Sequence, residues 1–543
     1  MNKRTWIIAL CCLLFLGIAV RLAGLGSHFS HIDDLNVAVA INNAQDGPRE
    51  AGYLDKVYAV ANRTTYAPLQ YLLTALLISS DQPYRDVLWW GRFPSFLAGA
   101  LGLALLAVWY WRFRGSEGFP SMLLAVAVAA FSWENIIYAK QMSSYAIGIP
   151  AAVAVLLLLQ GMLKPGAWTY PRMLLLGLGL GVLCTAQYQI LFFLPGVFIA
   201  LFVSRGGSRE AMRDAAANLA VTLAVVLLFI APLYYFFIRT VPQKAAYISW
   251  NGGVNGEYAF SLPSGILEAA WYSVRFFGEN GIAVFRNTVA LLPAGHPLAA
   301  PLEYLLLALF IAGAASCIDT KDRHRRMLGL FAGVTALTWA VLIVMRRLSF
   351  GPTRHTLILL PLFAIGIGEG LSYLIGKVRR EGIAARLRAW SAPGLAAVMA
   401  LLFLASAPGV FASRRDPFDE REIVSVLAAH KKALAIEYDW TMNLLLMPSV
   451  MRNYNVVTNF NYYAPSLQRE LIGRIPHDGA IVFVSHRGPL PQQIASILAE
   501  DGFESTGLRE APSETELDFS NKTKNGSNGF YLTVYEHRDR KKP

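Results

Sequence analysis

Long apolar segments alternate with short polar ones through the first three quarters of the chain. Most are about 20 residues long, the length at which an α-helix crosses the hydrocarbon core of a bilayer. The pattern predicts a polytopic α-helical membrane protein of about eleven transmembrane helices. The predicted spans are roughly 6–25, 87–111, 119–137, 145–163, 173–188, 190–204, 215–238, 298–317, 327–345, 354–376 and 391–411.

A further apolar run, 67–80, is shorter, and the positive-inside rule decides its interpretation. If this run does not span the membrane, nearly every basic short loop lies on the side of the N-terminus, which is then cytoplasmic. If it spans, all of these loops move outside. We therefore predict that 67–80 is a juxtamembrane or re-entrant segment buried against protein. The predicted cytoplasmic loops carry Arg112 and Arg114, Lys164 and Arg172, Arg205, Arg209 and Arg213, Lys321 to Arg326, and Lys377 to Arg388.

This topology leaves three large pieces on the outer side: the loops 26–86 and 239–297, and the chain from about 412 onward. In the last piece, short apolar strands alternate with helical patterns, which is typical of an α/β domain. We predict a transmembrane domain over 1–412 and a soluble extracytoplasmic α/β domain over 413–543. Its predicted strands are 433–438, 455–460, 481–485 and 530–536, its helices 420–432 and 490–502, and a polar loop covers 510–529.

Composition and charge support the membrane assignment. Of the 543 residues 55% are hydrophobic and 15% charged. The net charge of +12 could suggest a nucleic-acid-binding protein. However, before Ser413 the chain has 32 Lys and Arg against 19 Asp and Glu, whereas from Ser413 onward it has 16 against 17. The excess lies in short loops between apolar segments, so it reports topology and not a nucleic-acid surface. The cysteines, Cys11, Cys12, Cys184 and Cys317, lack the spacing of a disulfide framework or zinc site.

Two adjacent carboxylates stand in the first outer loop, in the sequence His31-Ile32-Asp33-Asp34. One of them could act as a general base towards a hydroxyl group. An ordinary solvated pair, or an N-cap for a helix that begins at Leu35, explains the local pattern equally well. The motif therefore needs support from its surroundings.

One basic loop, 346–355, breaks the topology rule by lying on the outer side, and it contains Arg347, Arg354 and His355. Cations at the membrane boundary cost free energy unless they are paired, and a phosphate is a suitable partner. Anionic lipid headgroups or acidic residues of the outer loops are the alternative partners. The same outer level also contains Lys140, Tyr145, Gln187 and Tyr188, of which the polar pair at 187–188 could instead satisfy a helix break.

Five short motifs, in chain order, carry a family resemblance. The segment 31–34 is similar to His-Phe-Asp-Glu, 66–69 to Pro-Pro-Leu, 91–95 to Arg-Leu-Pro-Ser, 138–145 to Tyr-Ser-Arg-Gln-Ala-Arg-Pro-Tyr, and 351–361 to Pro-Arg-Tyr-x-Leu-x-x-x-Pro. These motifs resemble those of the GT-C superfamily of polyprenyl-phosphate-sugar-dependent glycosyltransferases. This superfamily includes protein O-mannosyltransferases and bacterial aminoarabinose transferases. The resemblance covers roughly residues 1–376. Asp34 replaces the usual glutamate, and Ser143 stands where relatives often carry arginine.

The resemblance implies a GT-C type enzyme of the bacterial cytoplasmic membrane that takes its donor, a sugar on an undecaprenyl-type phosphate, from the outer side. The acceptor would be a lipid, glycan or protein hydroxyl. A divalent metal is compatible with the family but is not predicted to be obligatory, because Gln141, Ser143 and Ser144 offer no carboxylate. The alternative function is a transporter or flippase of a lipid-linked saccharide.

The predicted site residues fall into three groups by role. Asp33 and Asp34 are the predicted catalytic carboxylates. The predicted ligands of the donor phosphate are Arg354, His355, Lys140 and Arg347, and the predicted substrate contacts are His31, Tyr66, Tyr145, Gln187 and Tyr188.

Overall fold

The structure is a computed structural model, and it describes most of the helical part of the chain and most of the C-terminal sheet. The described residues are 3–26, 37, 67–78, 82, 84–164, 166–205, 208–235, 260, 265–292, 296–345, 348, 350–378, 381–413, 420–430, 433–437, 454–457, 465–475, 479–485, 490–512 and 529–538. Two compact units are formed, one containing α1 (Lys3–Leu22) and residues 94–407, the other containing the C-terminal sheet.

The helices follow the predicted apolar segments closely. After α1 come α2 (Pro68–Leu77), α3 (Tyr84–Arg114), α4 (Phe119–Phe131), α5 (Trp133–Tyr138), α6 (Tyr145–Met162), α7 (Tyr170–Ala186), α8 (Leu194–Ser204), α9 (Arg209–Leu233), α10 (Ile266–Val289), α11 (Ala299–Ile318), α12 (Arg323–Val344), α13 (Leu360–Gly376), α14 (Glu381–Ser413), α15 (Glu420–Ala428), α16 (Pro465–Gly473) and α17 (Gln492–Glu500). Turns of 3-10 helix occupy Gly115–Gly118, Tyr188–Phe193 and Arg354–Leu359.

Within the described residues, eight helices are long and apolar enough to cross a membrane. They cover Arg4–Leu22, Asp86–Arg114, Tyr145–Met162, Arg209–Leu233, Ala299–Ile318, Arg323–Val344, His355–Gly376 and Trp390–Pro408. Shorter apolar helices lie at the three other predicted spans, at Phe119–Phe131, Tyr170–Ala186 and Tyr188–Ser204. The chain is a multi-pass membrane protein, and the count of eleven spans stays a prediction. The helix α2 is only about 15 Å long, half the thickness of the hydrocarbon core, so it cannot cross alone.

The loops predicted to be cytoplasmic meet at one end of the helix bundle. The contacts that join them are Lys377 Nζ to Asp319 Oδ2 at 2.7 Å, the Phe113 and His324 rings at 6.4 Å, the Arg205 guanidinium over the Trp168 ring at 4.9 Å, and a hydrogen bond from Arg323 to the Ser204 carbonyl. Hydrogen bonds from Lys377 and Tyr373 also lower the pKa of Asp319. We call this the inner end; that it faces the cytoplasm stays a prediction.

A buried carboxylate holds three helices together near the inner end. Glu369 of α13 is 3% exposed, and its carboxylate oxygens lie 3.6 Å from Arg114 Nε and 3.1 Å from Arg325 Nη2. Arg114 ends α3 and Arg325 begins α12. Near this ion pair, α11 and α13 pack closely. A Cβ on Gly313 of α11 would collide with the Gly366 carbonyl of α13. Small residues allow such backbone contact between membrane helices.

The amphipathic helix α10 lies inside the segment 239–297, which is predicted only as an outer loop. Leu267, Trp271 and Val274 follow one face at helical spacing and are each more than two thirds exposed. Near its C-terminal end, the Thr288 carbonyl accepts a hydrogen bond from the Ser132 hydroxyl at 2.8 Å. The spacing of these apolar residues was the available signal for this helix.

The C-terminal domain is a small α/β sheet domain, as predicted. Its five strands, β1 (Ala433–Glu437), β2 (Asn455–Val457), β3 (Ala480–Ser485), β4 (Phe503–Pro512) and β5 (Gly529–His537), are arranged in the order β2-β1-β3-β5-β4. Neighbours β2, β1 and β3 are parallel, whereas β5 is antiparallel to both β3 and β4. The helices pack on this sheet through a core that includes Ile436, Ile472, Phe483 and Ile497.

Two elements of this domain were not predicted. The prediction contains no helix at α16, and for β4 it contains no element over 503–509 and a polar loop over 510–512. Residues Glu510–Pro512 belong to β4, so the loop predicted over 510–529 cannot begin at Glu510. A polar strand becomes favourable here because its backbone pairs with β5 over nine register positions, from Phe503 to Pro512. The residues 513–528 lie outside the described part.

Candidate active site at the broken helix ends

Several membrane helices are interrupted, and hydrogen bonds join the interruptions. The helix α1 ends at Leu22, α4 and α5 are separated by Ser132, a turn at 139–144 precedes α6, α7 ends before Gln187, and bends at 351–353 precede a 3-10 turn. In a bilayer, such non-helical backbone is tolerated only where it is buried in protein or lines a water-filled cavity. The convergence of these breaks therefore marks a candidate site.

Lys140 lies in the turn at 139–144 and is only 2% exposed. Its Nζ atom donates to the carbonyl oxygen of Ala23 at 2.5 Å, directly after the end of α1. Carbonyl groups at a helix C-terminus carry partial negative charge, so they stabilise a buried ammonium. An ammonium has three N–H donors, and the bond to Ala23 uses one of them.

His355 and Tyr145 form the centre of the described site. The Tyr145 hydroxyl lies 3.1 Å from His355 Nδ1, and the two rings are edge to face with centroids 5.4 Å apart. Gln189 Nε2 donates to the His355 carbonyl at 2.6 Å, which holds the start of the 3-10 turn. Tyr138 packs against Tyr145 with a centroid distance of 5.7 Å. Hydrogen bonds at its ring nitrogen and at its main-chain carbonyl therefore hold His355 in place.

Gln187 connects the break after α7 to the same turn that carries Lys140. It is 4% exposed, and its Nε2 atom donates to the Ser144 carbonyl at 3.4 Å. Tyr188 follows in the chain and begins the 3-10 turn as a half-buried residue. The polar triplet at 187–189 therefore satisfies a helix break and also supplies Gln189 to His355.

Of the predicted site residues, Tyr145 and His355 are in direct contact, and Gln187 bonds the turn at 139–144 that carries Lys140. Tyr188 follows Gln187 along the chain. Outside the described residues lie His31, Asp33, Asp34, Tyr66 and Arg347, and also the side chain of Arg354, whose backbone begins the 3-10 turn. Their roles stay predictions. Among described residues, no three His, Cys, Asp or Glu side chains cluster closely enough to hold a metal ion.

An apolar cleft of about 850 Å³ lies between α10, α11, α12 and α13. One end is lined by Leu359, the last residue of the 3-10 turn of His355, and by Phe350, on which Phe277 packs with a centroid distance of 5.9 Å. Cys317 and Glu369, near the inner end, line the other. Nearly all other lining side chains are hydrocarbon, so the cleft has the chemistry of a lipid-chain site.

No protein-family model matches the sequence, and a search of curated proteins finds no match. Solved structures do match. ArnT from Cupriavidus metallidurans bound to undecaprenyl phosphate has a TM-score of 0.56 and 14% identity, with 98% of each chain covered. The apo state of the same protein gives 0.54 and 13% over the same coverage.

A second enzyme has a related structure. The apo oligosaccharyltransferase of Archaeoglobus fulgidus has a TM-score of 0.50 and 10% identity, covering 94% of this chain and 74% of that one. Identities this low show the fold alone. Both enzymes are GT-C proteins. The chain therefore has the GT-C fold that its sequence motifs predicted.

Proposed function

We propose that the protein is a membrane glycosyltransferase that moves a sugar from a polyprenyl-phosphate donor to a hydroxyl acceptor on the outer side of the bacterial cytoplasmic membrane. The observation that carries this proposal is the set of joined helix breaks that carries Lys140, Tyr145 and His355, together with an apolar cleft that reaches the 3-10 turn of His355. The GT-C fold supports it, and the structurally similar ArnT binds undecaprenyl phosphate.

In the proposed reaction, Asp33 accepts the proton of the acceptor hydroxyl while that oxygen attacks the anomeric carbon. The bond between this carbon and the phosphate oxygen breaks, and the electron pair leaves with the polyprenyl phosphate. The configuration at the anomeric carbon is inverted, and Asp33 later returns its proton to water. Asp34 is the neighbouring carboxylate that completes the predicted catalytic pair. General-base assistance of this kind contributes about 10²- to 10⁴-fold.

The leaving phosphate would be stabilised by the cations of the outer side. Lys140 is the described cation of this group, Arg347 and Arg354 are the others proposed, and His355 would add a ring N–H donor. Charge-assisted hydrogen bonds to phosphate are roughly twice as strong as neutral ones, so a cluster of such donors can stabilise the charge that develops during departure. No obligatory metal is part of the proposal.

The sugar and the acceptor would be held by the remaining predicted contacts. Tyr145 and Gln187 are ordered by their bonds to His355 and Ser144, and Tyr188 lies directly beyond them. His31 and Tyr66 complete the proposed set. The proposed acceptor is a hydroxyl group of a lipid, a glycan or a protein.

The prenyl chain of the donor would lie in the apolar cleft. In the bilayer this chain is already in hydrocarbon, so the cleft would hold it by van der Waals packing and not by removing apolar surface from water. Cys317 lines the cleft and provides a chemical probe of its occupancy.

We expect undecaprenyl phosphate to slow modification of Cys317 by N-ethylmaleimide, because a chain in the cleft blocks access to the thiol. The measurement uses full-length protein whose other cysteines are replaced by serine. At a lipid concentration ten times the Kd, labelling should be about tenfold slower, since only the free fraction reacts.

Two controls make the labelling test specific. A variant that keeps only Cys11, which lies on α1 and does not line the cleft, should show no change in its labelling when the lipid is added. Undecaprenol, which lacks the phosphate, should protect Cys317 less well. Equal labelling of Cys317 in the presence and absence of undecaprenyl phosphate would contradict the proposed placement of the chain.

Replacing Tyr145 with Phe should weaken donor binding modestly, because the ring packing is kept and one hydrogen bond to His355 is lost. A hydrogen bond contributes about 0.5–1.5 kcal/mol, which corresponds to roughly 2- to 12-fold in undecaprenyl phosphate affinity. Tyr373→Phe is the matched control, since its hydroxyl bonds Asp319 at the inner end. Equal affinities of the Tyr145→Phe and wild-type proteins would argue against a role for this pair.

The second candidate function is a transporter or flippase of a lipid-linked saccharide. Buried Glu369 beside the cleft is the observation that favours it, because ionisable groups inside membranes often mark coupling pathways. Both carboxylate oxygens of Glu369 lie close to arginines, however, which is the arrangement of a structural ion pair. We therefore rank the transferase first.

A further inference from the structure

Arg21 of α1 is a fully buried cation within a membrane-spanning helix. Its Nη1 atom donates to the carbonyls of Gly17 at 2.8 Å and Ala130 at 2.9 Å, and its Nη2 atom donates to the carbonyl of Ala129 at 2.9 Å. In the described part of the chain, all its hydrogen-bond acceptors are main-chain carbonyls. A charge held inside a membrane protein is costly, and ionisable residues within membrane spans commonly mark functional sites.

Two of those acceptors belong to a helix end beside the candidate site. Ala129 and Ala130 lie in the last turn of α4, where carbonyl groups lack partners within the helix and carry partial negative charge. The Ala129 carbonyl also accepts from Asn135 Nδ2 of α5, at 2.7 Å. Arg21 and Asn135 therefore meet on a single carbonyl oxygen.

These bonds close into a ring through Lys140. Asn135 lies one turn before Lys140 in the chain, and Lys140 Nζ donates to Ala23, two residues after Arg21. We call Arg21, Ala129, Asn135, Lys140 and Ala23 the Arg21 ring. It connects α1 to the end of α4, then to α5 and its following turn, and back to the point where the chain leaves α1.

Gly99 of α3 allows this ring to form. A Cβ at position 99 would lie 2.9 Å from the Cβ of Ala139, next to Lys140, and 3.2 Å from the Cδ and Nε atoms of Arg21. Contacts below 3 Å between such atoms require a shift of the neighbouring groups, so any larger residue at 99 would press on the ring from α3.

We infer that Arg21 is a positioning residue for the donor site: it holds the ammonium of Lys140 and the exit of α1 in place through the Arg21 ring. The inference rests on the proposed function, in which Lys140 contacts the donor phosphate. Misplacement of such a group by about 1 Å can cost about 10²-fold in rate.

The test measures the affinity of full-length protein in nanodiscs for undecaprenyl phosphate, with undecaprenol as the phosphate-free probe. We expect Arg21→Met and Lys140→Met each to lower phosphate-dependent affinity about tenfold, the size of one lost charge-assisted bond. The double variant should be no weaker than Lys140→Met, because Arg21 acts through Lys140. Arg21→Lys should recover part of the loss, and Arg4→Met, at the exposed start of the same helix, should bind as wild type.

The possible failures are distinguishable. If wild-type protein binds undecaprenol as well as undecaprenyl phosphate, the proposed donor site fails and the inference falls with it. If wild type shows phosphate-dependent binding but Arg21→Met retains it, or if the two single effects add in the double variant, the positioning role alone is overturned.

A second variant covers the case in which Arg21→Met does not fold. Gly99→Ala keeps every charge but presses on Arg21 and Ala139, so it should lower phosphate-dependent affinity while leaving undecaprenol binding unchanged. Wild-type affinity in a folded Gly99→Ala protein would overturn the inference.

Discussion

The Asp33→Asn variant should transfer sugar at least about 10²-fold more slowly than wild type, because asparagine cannot accept the proton of the acceptor hydroxyl. The change keeps the size of the side chain and removes only its basicity. The measurement is a mass-spectrometric profile of glycolipids and glycans from cells that carry either version at matched membrane abundance. Loss of one sugar from one product would identify both the activity and its two substrates.

Two companion variants sharpen this experiment. Asp34→Asn should reduce transfer less than Asp33→Asn if Asp33 is the base, and the reverse order would exchange their roles. Asp319→Asn is the matched control, because Asp319 bonds Lys377 and Tyr373 at the inner end, away from the candidate site. Wild-type turnover in Asp33→Asn would contradict the proposed mechanism, and an unchanged profile would favour the transporter or flippase.

The Glu369→Gln variant should be less stable than wild type by about 3 kcal/mol, because it leaves Arg114 and Arg325 partly buried without their counter-charge. The two arginine side chains are 21% and 17% exposed. Water therefore reduces the cost of leaving their charges unpaired, and the lower end of the range for a broken buried ion pair applies. Thermal unfolding of the purified protein in detergent would show the change as a lower Tm.

The ion cluster also offers internal controls. Replacing Glu369, Arg114 and Arg325 together by Leu, Met and Met should recover most of the lost stability, because no unpaired charge remains. Glu279→Gln removes an exposed partner of Arg275 on α10 and should leave the Tm unchanged. Equal Tm values for Glu369→Gln and wild type would show that the cluster does not hold α3, α12 and α13 together.

Much of the architecture could be predicted because its signals are local. A run of about 20 apolar residues specifies a membrane helix wherever it occurs, and basic loops group by side through the positive-inside rule. Contacts such as Lys377 with Asp319 place those loops at one end as expected. Four strands of the C-terminal sheet were found because each is a short apolar run bounded by polar residues.

The elements that were missed have weaker local patterns. The helix α10 mixes charged and apolar residues over 24 positions, so its mean hydropathy hides a helix that only its periodicity reveals. The strand β4 contains Glu504, Ser505, Thr506 and Arg509 and is stabilised by pairing with β5, which lies beyond the chain segment 513–528. A strand of this kind depends on a partner distant in sequence, which no local window contains.

The sequence by itself determined the helix lengths, their order and the residue types available on each side of the membrane. Only the tertiary structure decided which of these residues meet: Tyr145 and His355 are 210 positions apart, and Lys140 is 117 positions from Ala23. Arg21 reads in sequence as a cation at the end of an apolar run, yet it is buried against the end of α4. Periodicity reports which face of a helix is apolar, whereas the partner of each polar group depends on how distant helices pack.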